Sequence, residues 1–394
     1  MRTHTRQPSA KQGLPPKRIA SLGGIALLLL GPTVFAQPQL PAYDTRYYTL
    51  HTDLGDEAVR ETTVRITLMA EEYHRRTKDL AGTVNQKLPF YLFKDRAAYE
   101  AAGGPAGSAG VFNGRALMAV VNPDDPNATW HVIQHEGFHQ FVHAAIGTGI
   151  PIWANEGLAE YFGQALFTGD SFTLGLIPPD RLARIKAALA EGRFQPLRDM
   201  MRTTTDTWNA ALTTENYDQA WSMVYFLVHA DDGRYQRAFI GVLRDIGRGM
   251  HWEKAWIRNF GRDIRGFQKR WESYWTQLPD DPTADLHAKA ITSTLTSFYA
   301  RAFSQRQVFE SFGEFVAAAT AGTLKAHERD WLPAHMLRDA LRIAPQVGEW
   351  RIEHKPGRWL LICKCRSGNI IEGSFRIRAK CVHRVSVKLR EDEE

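Results

Sequence analysis

The sequence predicts an α+β fold. A small N-terminal lobe of mixed helices and strands, with one edge strand, precedes a mainly helical lobe, a helical linking region and a small C-terminal antiparallel β module. Short β-like runs flank a long helical pattern in residues 37–127. Helical periodicity dominates residues 128–278 and continues through residues 279–345. In residues 346–394 four short runs separated by turn sequences indicate a small antiparallel sheet.

The composition is that of an ordinary globular protein. Of the 394 residues, 44% are hydrophobic and 23% are charged. These fractions exclude a fully disordered chain and a membrane-embedded one. A chain of this length can form two or three compact units with a sizeable core.

The first 36 residues form a separate segment, which we interpret as an export signal. A basic stretch without acids precedes an apolar run at residues 19–30, and Val34-Phe35-Ala36 offers small residues at the two positions that a signal peptidase reads. The apolar run is too short to span about 30 Å of hydrocarbon, so a retained membrane anchor is the weaker interpretation. We therefore expect cleavage after Ala36, a periplasmic or secreted location and no membrane span in the mature chain.

The charge balance argues against nucleic-acid binding. The formal net charge is +6, but residues 1–36 carry five cations and no acids, so residues 37–394 keep only +1. The sequence contains no basic block interleaved with aromatic residues, which is the usual footprint of a nucleic-acid surface.

The N-terminal lobe is predicted to contain strands at residues 46–52 and 88–93, with a helix at residues 56–80 between them. Two further β-like runs lie between residues 110 and 121. They surround Asn113-Gly114, which is a strong signal for a hairpin turn.

The helical lobe is predicted to begin with a helix from residue 128 to about residue 146, where Gly147, Gly149 and Pro151 end the pattern. A second helix is predicted at residues 155–166. Further helices are predicted at residues 179–191, 217–230, 235–247, 250–260 and 263–274, and a helical pattern returns at residues 286–343.

The C-terminal module is predicted to contain strands at residues 350–353, 359–365, 370–377 and 382–389. It also contains all three cysteines, Cys363, Cys365 and Cys381. An oxidising compartment allows one disulfide between Cys381 and either Cys363 or Cys365, which leaves one thiol over. A metal clip on the Cys-x-Cys pair is the weaker alternative because a good fourth ligand is missing.

The strongest functional signal is a run of histidines in the first helix of the helical lobe. His131, His135, His139 and His143 follow each other at a four-residue spacing, and His135, Glu136 and His139 form the pattern His-Glu-x-x-His. On a helix this spacing aims two imidazoles at one metal ion and sets a carboxylate beside them. We therefore expect His135 and His139 to bind zinc (Zn²⁺) and Glu136 to act as the general base.

A helix face can also carry several histidines that bind no metal. For His131 and His143 we favour that interpretation, since a tetrahedral ion that keeps one open position has no room for them.

The stretches HEGFH (135–139) and WANEGLAEYF (153–162) together resemble the zinc site of the gluzincin metallopeptidases, the class that includes thermolysin and the zinc aminopeptidases. The resemblance implies that Glu156, inside Asn155-Glu156-Gly157, is the third zinc ligand. It also implies that Glu160 orients a liganding histidine and that Asn155 belongs to the supporting shell.

The same class implies a role for a tyrosine that begins a later helix. NYDQAWSMVYFL (216–227) resembles the tyrosine-led helix of the aminopeptidase branch, so Tyr217 is the candidate that stabilises the oxyanion. Tyr225 is the competing tyrosine and is expected to fill the core. The chain lacks the Gly-Ala-Met-Glu-Asn strand with which the aminopeptidases grip a free N-terminus, which puts aminopeptidase specificity in doubt.

The resulting hypothesis is an exported zinc metallopeptidase that acts on a peptide or protein substrate. Residues 116–121 are expected to form the sheet edge that holds an extended peptide. The alternative is a non-catalytic, zinc-containing binding or scaffold protein of the cell envelope with a coordinatively closed metal. The sequence does not indicate the oligomeric state.

Overall fold

The computed structural model describes residues 39–147 and 149–390. The predicted export signal lies outside these residues. The α+β class is confirmed: an N-terminal sheet, a central set of helices and a C-terminal antiparallel sheet follow each other along the chain. Within the described ranges, no helix combines the length and the apolar character needed to cross a membrane.

The N-terminal lobe is a mixed five-stranded sheet. The strands are β1 (Ala42–Asp44), β2 (Tyr48–Thr52), β3 (Leu88–Phe93), β4 (Gly110–Phe112) and β5 (Leu117–Val120), in the spatial order β1-β2-β3-β5-β4. The β2–β3 and β3–β5 pairs are parallel, whereas β1–β2 and β4–β5 are antiparallel. Two helices belong to this lobe, α1 (Asp56–Thr77) and α2 (Arg96–Ala101).

The hairpin predicted around Asn113-Gly114 is confirmed. Gly114 has a φ of 83°, a value that glycine adopts readily, and the side chain of Asn113 accepts hydrogen bonds from the main chain of Arg115 and Ala116.

The prediction that residues 116–121 form the sheet edge is wrong. β5 lies between β3 and β4 and all four of its residues are buried, so its main-chain groups are already paired on both sides. On this side of the sheet the edge strand is β4, the first strand of the same hairpin. Sequence alternation identified both strands but does not reveal which of them lies outside.

The central lobe is helical. Its elements are α3 (Pro126–Ala145), α4 (Ile152–Gly163), α5 (Pro179–Ala190), α6 (Leu197–Arg202), α7 (Thr205–Ala210), α8 (Thr214–Gly233), α9 (Gln236–Gly247), α10 (Trp252–Phe260) and α11 (Ile264–Gln277), with the short strands β6 (Leu166–Phe167) and β7 (Phe172–Thr173) after α4. Their apolar faces share one large core, which includes the buried rings of Trp153, Trp221 and Trp271.

The helix α4 begins at Ile152, three residues before its predicted start. Pro151 occupies the position before the helix, and the side chains of Ile152 and Trp153 in the first turn are buried in the core. Proline fits the start of a helix because its N–H group is not needed there. Because this first turn is buried, the helix begins earlier than the start at Asn155 that the sequence predicted.

Two glycines allow close helix packing in this lobe. A Cβ atom at Gly157 would collide with the main-chain oxygen of Ala220, so α4 and α8 approach each other at a point where only glycine fits. Gly137 faces the hydroxyl of Tyr73 on α1, 3.2 Å from where its Cβ would lie. Gly137 therefore allows α3 to pack closely against α1.

The C-terminal part combines helices and a sheet. The helices are α12 (Ala284–Ser304), α13 (Phe312–Thr320) and α14 (Ala334–Val347), with a 3₁₀ turn at Glu328–Asp330, and the strands are β8 (Gly348–Lys355), β9 (Arg358–Cys365), β10 (Ile370–Arg378) and β11 (Cys381–Arg390), in the order β11-β10-β9-β8. All strand pairs are antiparallel. α12 packs on one face of the sheet, where Phe375 contacts Tyr299 and Phe303.

The disulfide expected between Cys381 and Cys363 or Cys365 is not formed. In the sheet register Cys363 lies opposite Ile371, whereas Cys381 lies opposite Arg378. These two β10 positions are seven residues apart, which is about 23 Å along a strand. All three cysteines are free thiols, and Cys363 and Cys365 are buried.

Candidate metal centre

Two histidines of α3 and a glutamate of α4 bring three potential ligand atoms together. His135 and His139 lie one helical turn apart, so their rings project from the same face of α3. The start of α3 is fixed by Asp125, whose side chain accepts a hydrogen bond from the main chain of Ala128. α4 packs along α3 and brings Glu156 to both rings.

The spacing of the three atoms fits a tetrahedral metal ion. The Nε2 atoms of His135 and His139 are 3.1 Å apart, and Oε2 of Glu156 lies 3.4 Å and 3.5 Å from them. A tetrahedral zinc ion with bonds of about 2.0–2.1 Å holds neighbouring ligand atoms about 3.3 Å from each other. The three atoms therefore occupy positions that match three corners of such a tetrahedron.

Burial gives an independent reason to expect a cation. His135, Glu156 and His139 are only 0%, 2% and 4% exposed, and Oε2 of Glu156 lies 3.4 Å and 3.5 Å from the Nε2 atoms of the two histidines. A buried carboxylate needs a positive charge beside it, which a bound metal ion supplies or, without a metal, the protonated ring of His135. The buried group formed by His135, His139 and Glu156 could therefore hold a metal ion.

Glu136 lies beside this group with one carboxylate oxygen fixed and the other unpaired. Its Oε2 accepts a 2.7 Å hydrogen bond from the main-chain N–H of Phe112 on the edge strand β4. Its Oε1 is buried and has no hydrogen-bond partner in the described part of the chain. The arrangement holds a carboxylate in one orientation and leaves one oxygen able to accept a proton.

Glu160 connects the centre to a buried arginine. Its Oε1 lies 3.1 Å from Nδ1 of His135, the ring nitrogen that faces away from the ligand group, and its Oε2 lies 2.6 Å from the guanidinium of Arg181 on α5. A carboxylate in this position fixes the tautomer and the ring orientation of a liganding histidine. The resemblance implied contact with a liganding histidine, and in the structure the histidine that Glu160 contacts is His135.

The charges of the cluster shift the pKa values of its members. Burial acts to lower the pKa of His135, but Glu156 and Glu160 outweigh it and raise this pKa to about 10. Burial likewise acts to raise the pKa of Glu156, but His139 and His135 lower it to about 2. Without a metal, the centre is therefore held together by a protonated His135 between two carboxylates.

Metal affinity is expected to rise with pH, because a metal must displace the proton of His135. The pKa of this histidine is 6.5 in a free side chain and about 10 in the folded, metal-free protein. At a pH below the folded-state value His135 carries a proton that the metal displaces, so the apparent affinity should increase about tenfold per pH unit. Competition of zinc with a chromophoric chelator at pH 7 and pH 8 measures this slope.

The stability of the metal-free protein should show the opposite trend and fall as the pH rises. The raised pKa of His135 stabilises the fold fully below pH 6.5, and this contribution is lost as the pH approaches 10. A His143→Ala variant, which changes an exposed histidine of the same helix, should keep both trends. A metal affinity that does not change with pH would contradict the protonated state of His135.

Tyr217, at the start of α8, lies at the margin of the centre. Its ring centroid is 6.4 Å from that of His135, and its other side packs edge-on against Trp208 at 5.2 Å. Burial and the nearby negative charge of Glu156 raise the pKa of its hydroxyl, so the group keeps its proton at neutral pH. A hydroxyl in this state can donate a hydrogen bond.

The remaining residues singled out in the sequence fall outside the three-atom group. His131 lies with Nε2 3.6 Å from Oε1 of Glu160, and His143 is exposed beside Phe112. Asn155 is half-buried, and its Oδ1 has no hydrogen-bond partner among residues 39–147 and 149–390. Tyr225 fills the core as expected, with its hydroxyl donating to the main-chain oxygen of Gly175.

The sequence did not identify Phe112 or Arg181 as parts of this centre. Phe112 acts through its main-chain N–H, which no side-chain pattern reveals. Arg181 lies 21 positions beyond Glu160 on a different helix, and it also contacts Asp218 on α8 with a 2.9 Å ion pair. The only sequence signal is its place on the apolar face of the amphipathic helix α5, where an arginine is unusual.

Comparison with known proteins gives a family match over part of the chain and no function. No curated protein matches the chain. The segment from residue 129 to residue 248, which contains His135, Glu156, Glu160, Arg181 and Tyr217, matches the family model described as "Protein of unknown function (DUF1570)".

Proposed function

We propose that this protein is an exported, zinc-dependent hydrolase that cleaves peptide bonds. The observation that carries the proposal is the combination of the three converging ligand atoms with the unpaired carboxylate oxygen of Glu136 beside them. The resemblance of both helices to the gluzincin zinc site supports the same assignment. Export rests on the signal-like pattern of residues 1–36.

Zinc is the metal that best suits the donor set. Two imidazole nitrogens and one carboxylate oxygen form the mixed set that catalytic zinc sites use, whereas magnesium and calcium prefer ligands that are all oxygen. Three protein ligands also leave one corner of a tetrahedron open, which is the arrangement of a catalytic rather than a structural zinc.

Each residue around the metal has its own role in the proposed reaction. Zinc, when bound, acts as a Lewis acid and lowers the pKa of water to about 7. Glu136 is placed to accept the proton of the attacking water and later to pass it to the leaving amine. Glu160 orients His135, and Tyr217 donates a hydrogen bond to the oxygen that gains negative charge in the transition state.

An extended peptide would pair with the sheet along its edge strand β4, whose side chains, like those of β5, are buried. Because hydrogen bonding alternates along an antiparallel pair, the main-chain groups of Gly110 and Phe112 face away from β5. The N–H group of Phe112 already points to Glu136. A peptide paired with β4 in this way would run close to the general base, which is the β-augmentation mode originally expected of residues 116–121.

The alternative is a non-catalytic zinc protein with a closed coordination shell. It requires a fourth protein ligand, for which His131 and His143 are the candidates. His131 is turned to Glu160 and His143 is exposed, so neither contributes to the group of His135, His139 and Glu156. The observed geometry favours the open, catalytic site.

The direct test of the proposal is the metal content of the purified protein. We expect about one zinc per chain by mass spectrometry, and a His139→Ala variant should lose it because only two ligands remain. His143→Ala is the matched control, since it removes a histidine one turn further along α3 that is exposed. A folded protein that contains no zinc even after reconstitution, or a His139→Ala variant that retains it, would refute the site.

A further inference from the structure

The strand β8 is an edge of the C-terminal sheet, and it pairs with β9 on one side only. Lys355 and Arg358 close a two-residue turn between these strands, so they form a hydrogen-bonded pair, and the bonding alternates along β8 from there. The main-chain groups of Trp350, Ile352 and His354 therefore face away from β9. In the described part of the chain, no main-chain hydrogen bond from another segment reaches them.

The side chains of β8 that point outward alternate in charge. Trp350 stacks on Phe312 of α13 at 5.4 Å, and its indole N–H donates a hydrogen bond to the main-chain oxygen of Ala344 on α14, which identifies the inner face. The side chains between the inward ones face outward, because successive residues of a strand point to opposite faces. In chain order they are Glu349, Arg351, Glu353 and Lys355. The outer face of the edge strand thus reads acid, cation, acid, cation.

The order of these charges is complementary to itself when a second copy of the strand runs antiparallel. With a two-fold axis through Ile352, Arg351 lies opposite Glu353 of the partner subunit. By the same symmetry, Glu349 lies opposite Lys355 of the partner subunit. Opposite charges that face each other across a strand pair stabilise it, whereas like charges destabilise it. Every outward pair in this register is therefore favourable.

The same charges disfavour the two registers in which the axis passes through a neighbouring residue. An axis through Arg351 would place Glu349 opposite Glu353 of the partner subunit. An axis through Glu353 would place Arg351 opposite Lys355 of the partner subunit. Both registers create like-charge pairs. The axis through Ile352 also suits the main chain, because the outward N–H and C=O groups of this residue meet those of its own copy.

We propose that β8 is the interface of a two-fold dimer, in which the C-terminal sheets of two copies join into one continuous sheet. Charged side chains on an edge strand commonly prevent such pairing, but charges of a single sign would do this best. The alternation of both signs in a self-complementary order attracts a second copy instead. A two-fold contact uses the same surface of both copies, so assembly stops at the dimer. The proposal is independent of the metal centre.

Sedimentation velocity of the purified protein tests the dimer. An interface of one strand pair is small and therefore weak, so the measurement should cover about 1 μM to about 200 μM protein. We expect monomer and dimer in a concentration-dependent equilibrium. Raising the salt from about 0.1 M to about 0.5 M should shift it towards the monomer, because salt screens the ion pairs. A protein that stays monomeric over the whole range, or that forms species larger than a dimer, would overturn the proposal.

A charge reversal and its rescue test the register. Arg351→Glu places two acids opposite each other at both symmetric positions, so it should weaken the dimer about tenfold or more. The Arg351→Glu/Glu353→Arg double variant restores opposite charges across the axis and should dimerise within about threefold of the original protein.

Arg376→Glu is the matched control, because it reverses a cation on β10, which β9 separates from the proposed interface. It should leave the dimer unchanged. Thermal unfolding of each variant shows whether it is folded. If the folded Arg351→Glu variant dimerises as the original protein does, or if the folded double variant stays monomeric, β8 is not the interface.

Discussion

Glu136→Gln is expected to reduce peptide hydrolysis by about 10² to 10⁴, the range over which a positioned general base contributes to catalysis. The amide has nearly the same shape as the carboxylate, and its oxygen can still accept the hydrogen bond from the main chain of Phe112. What it lacks is the second oxygen, the buried Oε1 that is free to take a proton. Turnover of an unstructured protein substrate such as casein by the zinc-loaded protein measures the effect.

The interpretation depends on zinc remaining in place. Glu136 is not one of the three converging ligand atoms, so Glu136→Gln should keep about one zinc per chain and the unfolding temperature of the original protein. Glu136→Asp is the matched variant that keeps the charge but withdraws it by one methylene, and it should retain part of the activity. If Glu136→Gln hydrolyses the substrate within twofold of the original protein while zinc is bound, Glu136 is not the general base.

The convergence of His135 and His139 could be predicted from the sequence because their geometry is local. His135 and His139 lie on one helix, and a four-residue spacing places them on one face whatever the rest of the chain does. Glu156 lies on the next helix, and its approach depends on how α4 packs against α3. Only the resemblance of its surrounding sequence to a known zinc site made that prediction, and the observed distances agree with it.

Predictions that depended on the order or register of strands were wrong. Alternation identified both strands of the hairpin around Asn113-Gly114, but the position of β5 between β3 and β4 follows from long-range pairing. The predicted disulfide was wrong for the same reason, because the register of β10 separates Cys363 from Cys381. A strand pattern shows which side chains share a face, but it does not show what lies beside the strand.

Arg181 was also not identified from the sequence, although it is buried and pairs with two carboxylates. The residue is 7% exposed and lies between two carboxylates, Glu160 at 2.6 Å and Asp218 at 2.9 Å. Glu160 holds His135, and Asp218 follows Tyr217 in the chain. One guanidinium group thus ties the support of a metal ligand to the helix that carries the candidate oxyanion tyrosine.

Arg181→Met is expected to weaken zinc binding about 10- to 100-fold, the usual effect of losing a partner that supports a metal ligand. Methionine fills a similar volume but leaves the buried carboxylate of Glu160 without its strongest partner. The Glu160 carboxylate then orients Nδ1 of His135 less firmly. Loss of a positive charge near the metal acts in the opposite direction, but this charge is already compensated by Glu160 and Asp218. Competition with a chromophoric chelator measures the affinity without relying on hydrolysis.

Arg184→Met separates the specific role of Arg181 from a general effect of removing an arginine. Arg184 also pairs with Asp218, at 2.7 Å, but its side chain is 36% exposed and it forms no ion pair with Glu160 in the described structure. Its loss should change zinc affinity by less than about twofold, as expected for a partly exposed pair. If Arg181 acts through Glu160, Arg181→Met should cause no further loss of affinity in a Glu160→Gln background, although it should still lower the unfolding temperature through Asp218. Additive losses of affinity in the double variant would show that Arg181 supports the fold of the lobe rather than the orientation of His135.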